Sequence, residues 1–566
     1  MTCNVLVIGA GTAGVAAAIA AAESGARVIV AEEGPWVGGM LTAAGVSAID
    51  GNHSLPSGLW GRFRRRLYAH YGGPRAVETG WISRTLFDPR VAEEILRQMM
   101  DLPGLTLLTG LELREMIVDT GPAASRAIRG ARFRRLSDGG EVEIRAGVTI
   151  AADEFGDAAY LSGLPLHTGI ESRRETGETQ APEEPHPVPQ DMTWVATLHA
   201  SESLWRHPGL AASGAAPPRH LPSFPRILTE SPHSWRDFFS YARLPGELFM
   251  LNWPIHGNDF AGDYLRSREN GGALPAESPD ARAAALAALR EHREGLFAAA
   301  REKTLRLVRE LQEAFPDSGL ALAGETYPTE TGLPPLPYIR ESWRIYGETL
   351  VTLNDILAAP GAAAGSAEDP DVAERAEQLR HRAVAVGNYP VDHHRLEDPG
   401  APRISFPSIP SFSLPVDVLI PENTTGLLVA EKSISVSGLV NGCSRLQPVV
   451  MLLGEAAGVL AAMASRATPA DPRDPGVHSL QEALLARACM LLPYSDLAPE
   501  DPDFAALQRA GIRGTLRGQA RSEGWENQTL LHPDAREADG RSRREHARRS
   551  GTAPLDACDN RRENQV

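Results

Sequence analysis

Lysine is almost absent from this chain of 566 residues, because Lys303 and Lys432 are the only two and arginine supplies the other basic side chains. The formal net charge is −16. An excess of acidic residues on this scale disfavours binding to nucleic acid and to an anionic membrane surface. We therefore expect neither nucleic acid nor a membrane among the partners of this protein.

Cysteine is also scarce, and the four residues Cys3, Cys443, Cys489 and Cys558 form no C-x-x-C pair and no metal-binding spacing. This pattern excludes a disulfide framework and a C-x-x-C redox centre, predicts no metal site and favours a reducing, cytoplasmic location. No apolar run is long enough to span a bilayer, and the apolar start of the chain is interpreted as the first strand of the fold and not as a secretory signal.

The N-terminal segment has the order strand, glycine-rich turn, helix, strand and acid. Residues 5–8 form an apolar run, and Gly9, Gly11 and Gly14 follow it in G-x-G-x-x-G spacing before an alanine-rich helix. The first glycine makes the tight turn, the second lets the backbone approach a pyrophosphate, and the third lets the helix pack closely on the strand. The pyrophosphate then lies on the free N–H groups of the helix N-terminus.

Glu32 closes the second strand at the distance where a carboxylate accepts the ribose hydroxyls and repels a 2′-phosphate. The segment therefore predicts an adenine dinucleotide site. The cofactor-binding residues predicted here are Gly9, Ala10, Gly11, Thr12, Ala13, Gly14, Glu32, Glu33, Gly38, Gly39 and Met40.

Local signals predict several further elements. Asp88 and Pro89 indicate the N-cap and first residue of a helix, and the turn at 138–140 indicates a hairpin. Residues 280–315 have the apolar spacing of an amphipathic helix that packs on a core. The charged, proline-rich residues 171–190 are interpreted as a surface loop or linker.

Several segments occur in an order that is typical of one family. They are GAGTAGVAAA, TLFDPRVAEEIL, AADEFGDAAYLSGLP, LPYIRESWRIYGE, GNYPVDHH, FSLPVDVLIPENTTGLLVAEKSISVSG and CSRLQPVVMLLGEAAGVLAA, between residues 4 and 462. With this ordered set the chain resembles the bacterial FAD-dependent oxidoreductase family of the glutathione-reductase-like flavoprotein class. Some members of that family carry the label "xanthan lyase".

The resemblance implies FAD as cofactor and an α/β fold whose Rossmann-like FAD-binding domain is split in sequence around an inserted α+β substrate or cap domain. A small helical appendage follows. The expected division is 1–165 and 419–470 for the two halves of the FAD-binding domain, 166–418 for the cap, 471–534 for the appendage and 535–566 for a disordered tail.

The resemblance also implies that a C-terminal helix points its N-terminus at the flavin, where its partial positive charge stabilises the reduced, anionic ring. Arg445, Gln447 and Pro448 are the flavin contacts predicted there. The chain departs from the family in two places. Glu431 and Lys432 stand where many members have a glycine-arginine pair, and residues 152–157 read ADEFGD where the motif often reads alanine-threonine-glycine-aspartate.

Two segments supply candidates for the substrate side: Arg340, Glu341 and Arg344 in the first, and Tyr389, Asp392, His393 and His394 in the second. A histidine pair beside a carboxylate provides a proton acceptor near neutral pH, and Arg340 could clamp a substrate carboxylate through two hydrogen bonds. Structural pairing of these residues is the alternative. The catalytic candidates retained are Arg340, Tyr389, His393 and His394.

The leading hypothesis is an FAD-dependent oxidoreductase that transfers a hydride between flavin N5 and a small organic substrate, with an unidentified electron acceptor or donor. No second G-x-G-x-x-G for a nicotinamide cofactor is present. A flavin monooxygenase acting on an aromatic or sugar-like substrate is the second hypothesis. A non-redox dinucleotide-binding protein or lyase is the third.

Overall fold

The computed structural model describes residues 1–121, 125–211, 221–228, 234–266, 278–358, 370–523 and 526–531. Its helices are α1 (Thr12–Glu23), α2 (Gly58–Tyr71), α3 (Pro89–Met100), α4 (Asp157–Leu161), α5 (Arg173–Thr176), α6 (Glu202–Arg206), α7 (Pro208–Ala211), α8 (Trp235–Ser240), α9 (Pro279–Ala314), α10 (Leu353–Leu357), α11 (Pro370–His381), α12 (Gly438–Ser444), α13 (Gln447–Ala464), α14 (Val477–Leu485) and α15 (Phe504–Ile512).

Its strands are β1 (Thr2–Ile8), β2 (Val28–Ala31), β3 (Leu105–Leu108), β4 (Leu111–Thr120), β5 (Arg126–Arg135), β6 (Glu141–Ala151), β7 (Leu166–His167), β8 (Met192–Thr193), β9 (Ala196–His199), β10 (Arg243–Leu244), β11 (Leu248–Leu251), β12 (Asp259–Phe260), β13 (Ala321–Leu322), β14 (Arg344–Ile345), β15 (Ala383–Gly387), β16 (Phe412–Pro415), β17 (Thr424–Thr425), β18 (Leu427–Val429), β19 (Gln519–Glu523) and β20 (Glu526–Leu530).

A parallel sheet with the order β3-β2-β1-β6-β18 forms the centre of the fold. The first part of β6 pairs antiparallel with β5, and β5 pairs antiparallel with β4, so β6 belongs to both the parallel sheet and a hairpin layer. Strand β18 comes from a segment far along the chain. The predicted α/β fold with a dinucleotide-binding domain split in sequence is therefore confirmed.

Helices α1 and α13 cross at close range, and two glycines of α13 permit the approach. A Cβ atom added at Gly454 would lie 2.2 Å from the carbonyl oxygen of Ala13, and one added at Gly458 would lie 2.2 Å from that of Ala17. No side chain fits at such distances. The two glycines therefore serve the packing of one helix on the other.

Replacing Gly458 with alanine is expected to lower the free energy of unfolding by about 1–3 kcal/mol, because the added methyl group overpacks this crossing. Gly295→Ala in α9 is the matched control, since its added Cβ meets no atom within 4 Å. Helix propensity alone should stabilise that variant by up to about 1 kcal/mol. Thermal unfolding measures both effects, and a Gly458→Ala midpoint equal to that of the original protein would contradict the packing argument.

The inserted region covers the sheet with a second layer. Strands β10, β11, β9 and β13 form an antiparallel sheet in that order, next to an aromatic cluster that includes Trp235, Phe238 and Phe315. The 36-residue helix α9 reaches back to the dinucleotide-binding layer, where Arg293 makes two hydrogen bonds of 2.9 Å to Asp157 of α4. This buried ion pair joins the two layers.

Several local predictions are confirmed. Helix α3 begins at Pro89, and the side chain of its N-cap Asp88 accepts a hydrogen bond from the N–H of Arg90. The turn at 138–140 joins β5 to β6, and α9 spans the predicted helical block. Beside its two helices, the segment predicted as a helical appendage contains the hairpin β19–β20, which was not predicted. Its residues are mostly polar and show no clear strand alternation.

The prediction of a surface loop at 171–190 is wrong for part of that segment. Glu171, Glu178 and Gln190 are buried, and their polar atoms are held by hydrogen bonds to distant parts of the chain. Charge and proline content do not reveal such partners. The predicted tail at 535–566 and Cys558 lie outside the described residues.

One helix of the described ranges, α13, has the length and apolar composition of a membrane span. It packs against α1 and the sheet, and 94% of it is buried inside the protein.

Candidate functional site

The glycine-rich loop between β1 and α1 lies at the carboxyl end of the parallel sheet. Gly9 has a φ of 90°, a left-handed value that favours glycine. A Cβ at Gly14 would lie 2.0 Å from the carbonyl oxygen of Gly9, so the helix packs directly on the turn. Ala10, Thr12 and Ala13 complete the loop and the first turn of α1, and all three are buried.

The second glycine pair packs on this loop. Thr12 Oγ1 donates a hydrogen bond of 2.9 Å to the carbonyl oxygen of Gly38. A Cβ at Gly39 would lie 2.8 Å from the Cα of Gly11, and Met40 is buried in the same short turn. The structure thus brings the two predicted glycine segments into direct contact.

Glu32 follows the end of β2 and faces the loop. Its carboxylate accepts hydrogen bonds from the N–H groups of Ala10 (2.6 Å) and Gly34 (2.7 Å). Burial raises the pKa of Glu32 to about 7, although these two hydrogen bonds oppose the shift. Glu33 points elsewhere, with a carboxylate oxygen 3.8 Å from Arg290.

The N-terminus of α13 faces the same region from the other half of the domain. Gln447 is the first residue of this helix and Pro448 the second. The Gln447 side chain bonds the carbonyl oxygen of Ala48 (3.1 Å) and the N–H of Asp50 (3.4 Å). This segment after the second glycine pair is thereby held against the helix N-terminus.

A chain of alternating charges runs from the cap towards α13, buried at Arg340 and Asp259 and partly exposed at His394 and Asp392. Arg340 bonds Asp259 Oδ1 (3.1 Å), whose second oxygen lies 3.1 Å from His394 Nδ1. His394 Nε2 lies 3.0 Å from Asp392 Oδ2, which also accepts a 2.9 Å hydrogen bond from Arg445. Arg340 and His394, predicted from separate motifs, are therefore joined through Asp259.

His394 is held between two carboxylates. Burial and Arg340 favour the neutral ring, but Asp392 and Asp259 outweigh them and raise its pKa. Both ring nitrogens face carboxylate oxygens, which suits an imidazolium with two donors. The two carboxylates engage both ring nitrogens of His394, and the expected role of the histidine pair as proton acceptor stays a prediction.

His393 lies outside this chain of charges. Its ring packs on Phe406 and against Gly442, and Nε2 lies 3.3 Å from the carbonyl oxygen of Leu439. Burial, with Arg395 and Arg445 nearby, lowers its pKa to about 3, so the ring is neutral. A catalytic role for His393 stays a prediction that this placement does not favour.

Tyr389 and Arg340 are both buried beside the charged chain. Burial and the charges of Asp50 and Asp392 raise the pKa of Tyr389 well above its usual range. Arg340 already uses both terminal nitrogens, on Asp259 and on the carbonyl oxygen of Asp191 (2.7 Å). Its Nε has no hydrogen-bond partner in the described ranges, and the clamp on a substrate carboxylate stays a prediction.

Asp50 is the residue that the sequence analysis missed. It is partly buried at the N-terminus of α13, close to Asp392, Arg445 and His394. Burial and the negative charge of Asp392 raise its pKa to about 7, against the attraction of Arg445. Its position just after the glycine pair was the only available signal, because no motif marks it.

Unpartnered polar atoms indicate that this region is built for a ligand. Ser433 Oγ, Asn441 Nδ2 and Arg445 Nε are buried without a hydrogen-bond partner in the described ranges. Buried polar groups nearly always have a hydrogen-bond partner. Unpartnered groups in the segments that precede α13 therefore fit contact with the polar edge of a bound molecule. The glycine loop, Glu32 and the α13 N-terminus fit an adenine dinucleotide, while the contacts of individual residues with it stay a prediction.

Comparison with known proteins agrees with this geometry. A family model described as FAD dependent oxidoreductase matches residues 4–484. A comparison with the sequences of curated proteins gave no match.

Similar solved structures include three proteins, each matched over less than two thirds of its own length. THI4 from Thermovibrio ammonificans is 17% identical, with 30% of this chain and 66% of that chain covered and a TM-score of 0.23. A geranylgeranyl bacteriochlorophyll reductase-like protein from Thermoplasma acidophilum is 17% identical, with 35% and 46% covered and a TM-score of 0.19. The 3-ketosteroid Δ1-dehydrogenase from Sterolibacterium denitrificans is 12% identical, with 28% and 48% covered and a TM-score of 0.20. Because the family model matches most of its length, the chain belongs to the FAD-dependent oxidoreductase family, and it is an enzyme whose cofactor is FAD.

Proposed function

We propose that the enzyme oxidises a small, neutral, hydroxylated substrate, with Asp50 accepting the hydroxyl proton while the adjacent carbon gives up a hydride. Bound FAD supplies the hydride acceptor at N5. The substrate C–H and O–H bonds break, a C=O bond forms, and the proton passes to a carboxylate oxygen of Asp50. The observation that carries this proposal is a partly buried carboxyl group at the α13 N-terminus with a pKa near neutrality.

The neighbours of Asp50 support its role as the base. A general base works best when its pKa lies near the working pH, and burial places that of Asp50 at about 7. The other carboxylates of the charged chain are committed: Asp392 to His394 and Arg445, and Asp259 to Arg340 and His394. Among the hydrogen bonds and ion pairs of the described residues, none involves the Asp50 carboxylate.

The charge balance supports a neutral substrate. Arg340 and Arg445 are each paired with an aspartate, and His394 lies between the same two aspartates. With Asp50 ionised as the base, three carboxylates face these three basic side chains, so a substrate carboxylate would meet no surplus positive charge. Hydroxyl groups suit the unpartnered Arg445 Nε and Arg340 Nε, which can each donate one hydrogen bond.

Anaerobic reduction of the FAD-loaded enzyme tests the proposal. Polyols, sugars and secondary alcohols are compared with carboxylates of the same carbon skeleton, and loss of the visible flavin absorption is followed. We expect a neutral hydroxylated compound to bleach the enzyme faster than its carboxylate counterpart, while free FAD stays oxidised. If no compound bleaches an enzyme that dithionite reduces, the proposal fails.

The same compounds, incubated with the FAD-loaded enzyme in the presence of O₂, separate the other two hypotheses. A product that carries oxygen from O₂ would establish a monooxygenase. An unsaturated sugar formed while the flavin remains oxidised would establish a lyase.

We also propose a cytoplasmic location. Cys3, Cys443 and Cys489 are buried as free thiols, and burial raises the pKa of Cys443 above its usual range. Unpaired thiols of this kind are typical of a reducing compartment. Fractionation of the source cells tests the location.

A further inference from the structure

Glu431 places a carboxylate on the N-terminus of α1. It follows β18 with a φ of 56°, a left-handed value that is uncommon for a residue other than glycine. Its Oε1 atom accepts a 2.6 Å hydrogen bond from the N–H of Ala13. A Cβ at Gly11 would lie 2.5 Å from the same oxygen, so the carboxylate lies directly over the glycine loop.

This position is the anion site of a dinucleotide-binding fold. The free N–H groups at the start of such a helix and the second glycine of the loop receive a pyrophosphate. A carboxylate and a pyrophosphate cannot occupy one site together, and both carry negative charge. The Glu431 carboxylate therefore occupies the position where the pyrophosphate of FAD is expected to bind.

We propose that Glu431 is a built-in competitor of FAD: its carboxylate holds the α1 N-terminus in the apoprotein, and the pyrophosphate binds by displacing it. The proposal rests on FAD as cofactor and is independent of the substrate oxidation proposed above.

Lys432 makes the exchange feasible. Its buried Nζ atom lies 2.8 Å from Glu154 Oε1 and 3.5 Å from Glu431 Oε2, and the latter oxygen has no hydrogen-bond partner in the described ranges. Glu431 is thus held by the N–H group of Ala13 and by the charge of Lys432, which Glu154 shares. When its side chain withdraws, Lys432 stays paired with Glu154 and provides positive charge beside the incoming pyrophosphate.

Titration of FAD into apoprotein, followed by flavin fluorescence, tests the proposal. Glu431→Gly and Glu431→Gln are each expected to bind FAD about 10- to 100-fold more tightly, because the competing charged hydrogen bond is lost. Glycine also suits the left-handed backbone, so this variant should fold. The control is Glu23→Gln at the other end of α1, which removes the same charge and should leave the affinity unchanged.

The pH dependence of the original protein gives a second measurement. Burial raises the pKa of Glu431 to about 7, with Lys432 opposing and Glu154 adding to the shift. Glu32, which bonds Ala10 on the same loop, has a similar pKa. Relative to Glu431→Gln, the original protein should therefore gain FAD affinity as the pH falls through 7, because only the original protein loses the Glu431 charge. Protonation of Glu32, the expected acceptor of the ribose hydroxyls, acts in the opposite direction and is common to both proteins.

Two results would overturn the proposal. One is an FAD affinity in both Glu431 variants that equals or falls below that of the original protein. The other is the same pH dependence in Glu431→Gln as in the original protein. Either result would mean that Glu431 supports the bound cofactor or leaves its binding unaffected. Neither depends on whether a substrate is ever oxidised.

Discussion

Replacing Arg344 with methionine is expected to lower the free energy of unfolding by about 3–5 kcal/mol, because it removes a buried cation that two buried carboxylates share. Arg344 is fully buried and bonds Glu171 (2.7 Å) and Glu341. It also donates to the carbonyl oxygens of Gly169 (2.8 Å) and Val436 (3.0 Å). The side chain thus joins the cap to the segment that precedes α12.

Arg129→Met on the surface of β5 is the matched control. Arg129 pairs with Asp119 at 2.9 Å, but both side chains are substantially exposed. Exposed pairs contribute no more than about 1 kcal/mol, so this variant should unfold close to the original protein. Equal thermal midpoints for the Arg344 and Arg129 variants would refute the buried network as a source of stability.

The pH dependence of stability follows from Glu171. Burial alone would raise its pKa, but Arg344 and His167 outweigh burial and hold the pKa far below its usual range. A depressed pKa in the folded state contributes stability above the unfolded pKa of about 4.3 that is lost as the pH falls below it. Thermal midpoints of both proteins are measured from about pH 6 down to about pH 3, an interval that includes this unfolded pKa. As the pH falls, the midpoint should decrease less steeply in Glu171→Gln than in the original protein.

The features that sequence predicted best are those with a local cause. The glycine loop follows from backbone geometry within six residues, the start of α3 follows from the adjacent Asp88 and Pro89, and the length of α9 follows from its apolar repeat. In each case the residues that determine the structure lie within a few turns of one another. No knowledge of the remaining fold is required.

Features that depend on distant partners could not be predicted in this way. Glu171 and Arg344 are 173 positions apart, and Ala13 and Glu431 are 418 positions apart. Arg344 and Glu341 were candidates for the substrate side, yet the structure commits both to buried ion pairs. A charged residue in the sequence does not identify its own ion-pair partner, because the fold determines which distant residue lies beside it.

Asp50 illustrates the same limit within the site. Its neighbours in sequence are Ile49 and Gly51, and neither signals catalysis. Its perturbed pKa reflects burial, the charge of Asp392, in the segment GNYPVDHH, and that of Arg445, which precedes α13. Asp392 and Arg445 were predicted site residues, but the Asp50 carboxyl group whose pKa they shift was not.

Asp50→Asn is expected to slow substrate-dependent reduction of the enzyme by about 10²- to 10⁴-fold, because the proton acceptor is lost while shape and volume are kept. FAD binding should be unchanged, since the contacts of the glycine loop do not involve Asp50. Stopped-flow absorption of the anaerobic, FAD-loaded protein measures the rate. Asp138→Asn in the β5–β6 turn removes the same charge far from the site and serves as the control.

The pH profile distinguishes a base from a residue that only shapes the site. Asp50 accepts a proton only when ionised, so kcat/KM should fall as the pH drops through about 7, the value to which burial raises its pKa. Asp392 and Asp259 raise the pKa of His394, so its titration is shifted to higher pH. The Asn variant should therefore lose the limb along with the rate. A slow variant that kept the full pH dependence would move the base to another residue and leave Asp50 a structural part of the α13 N-terminus.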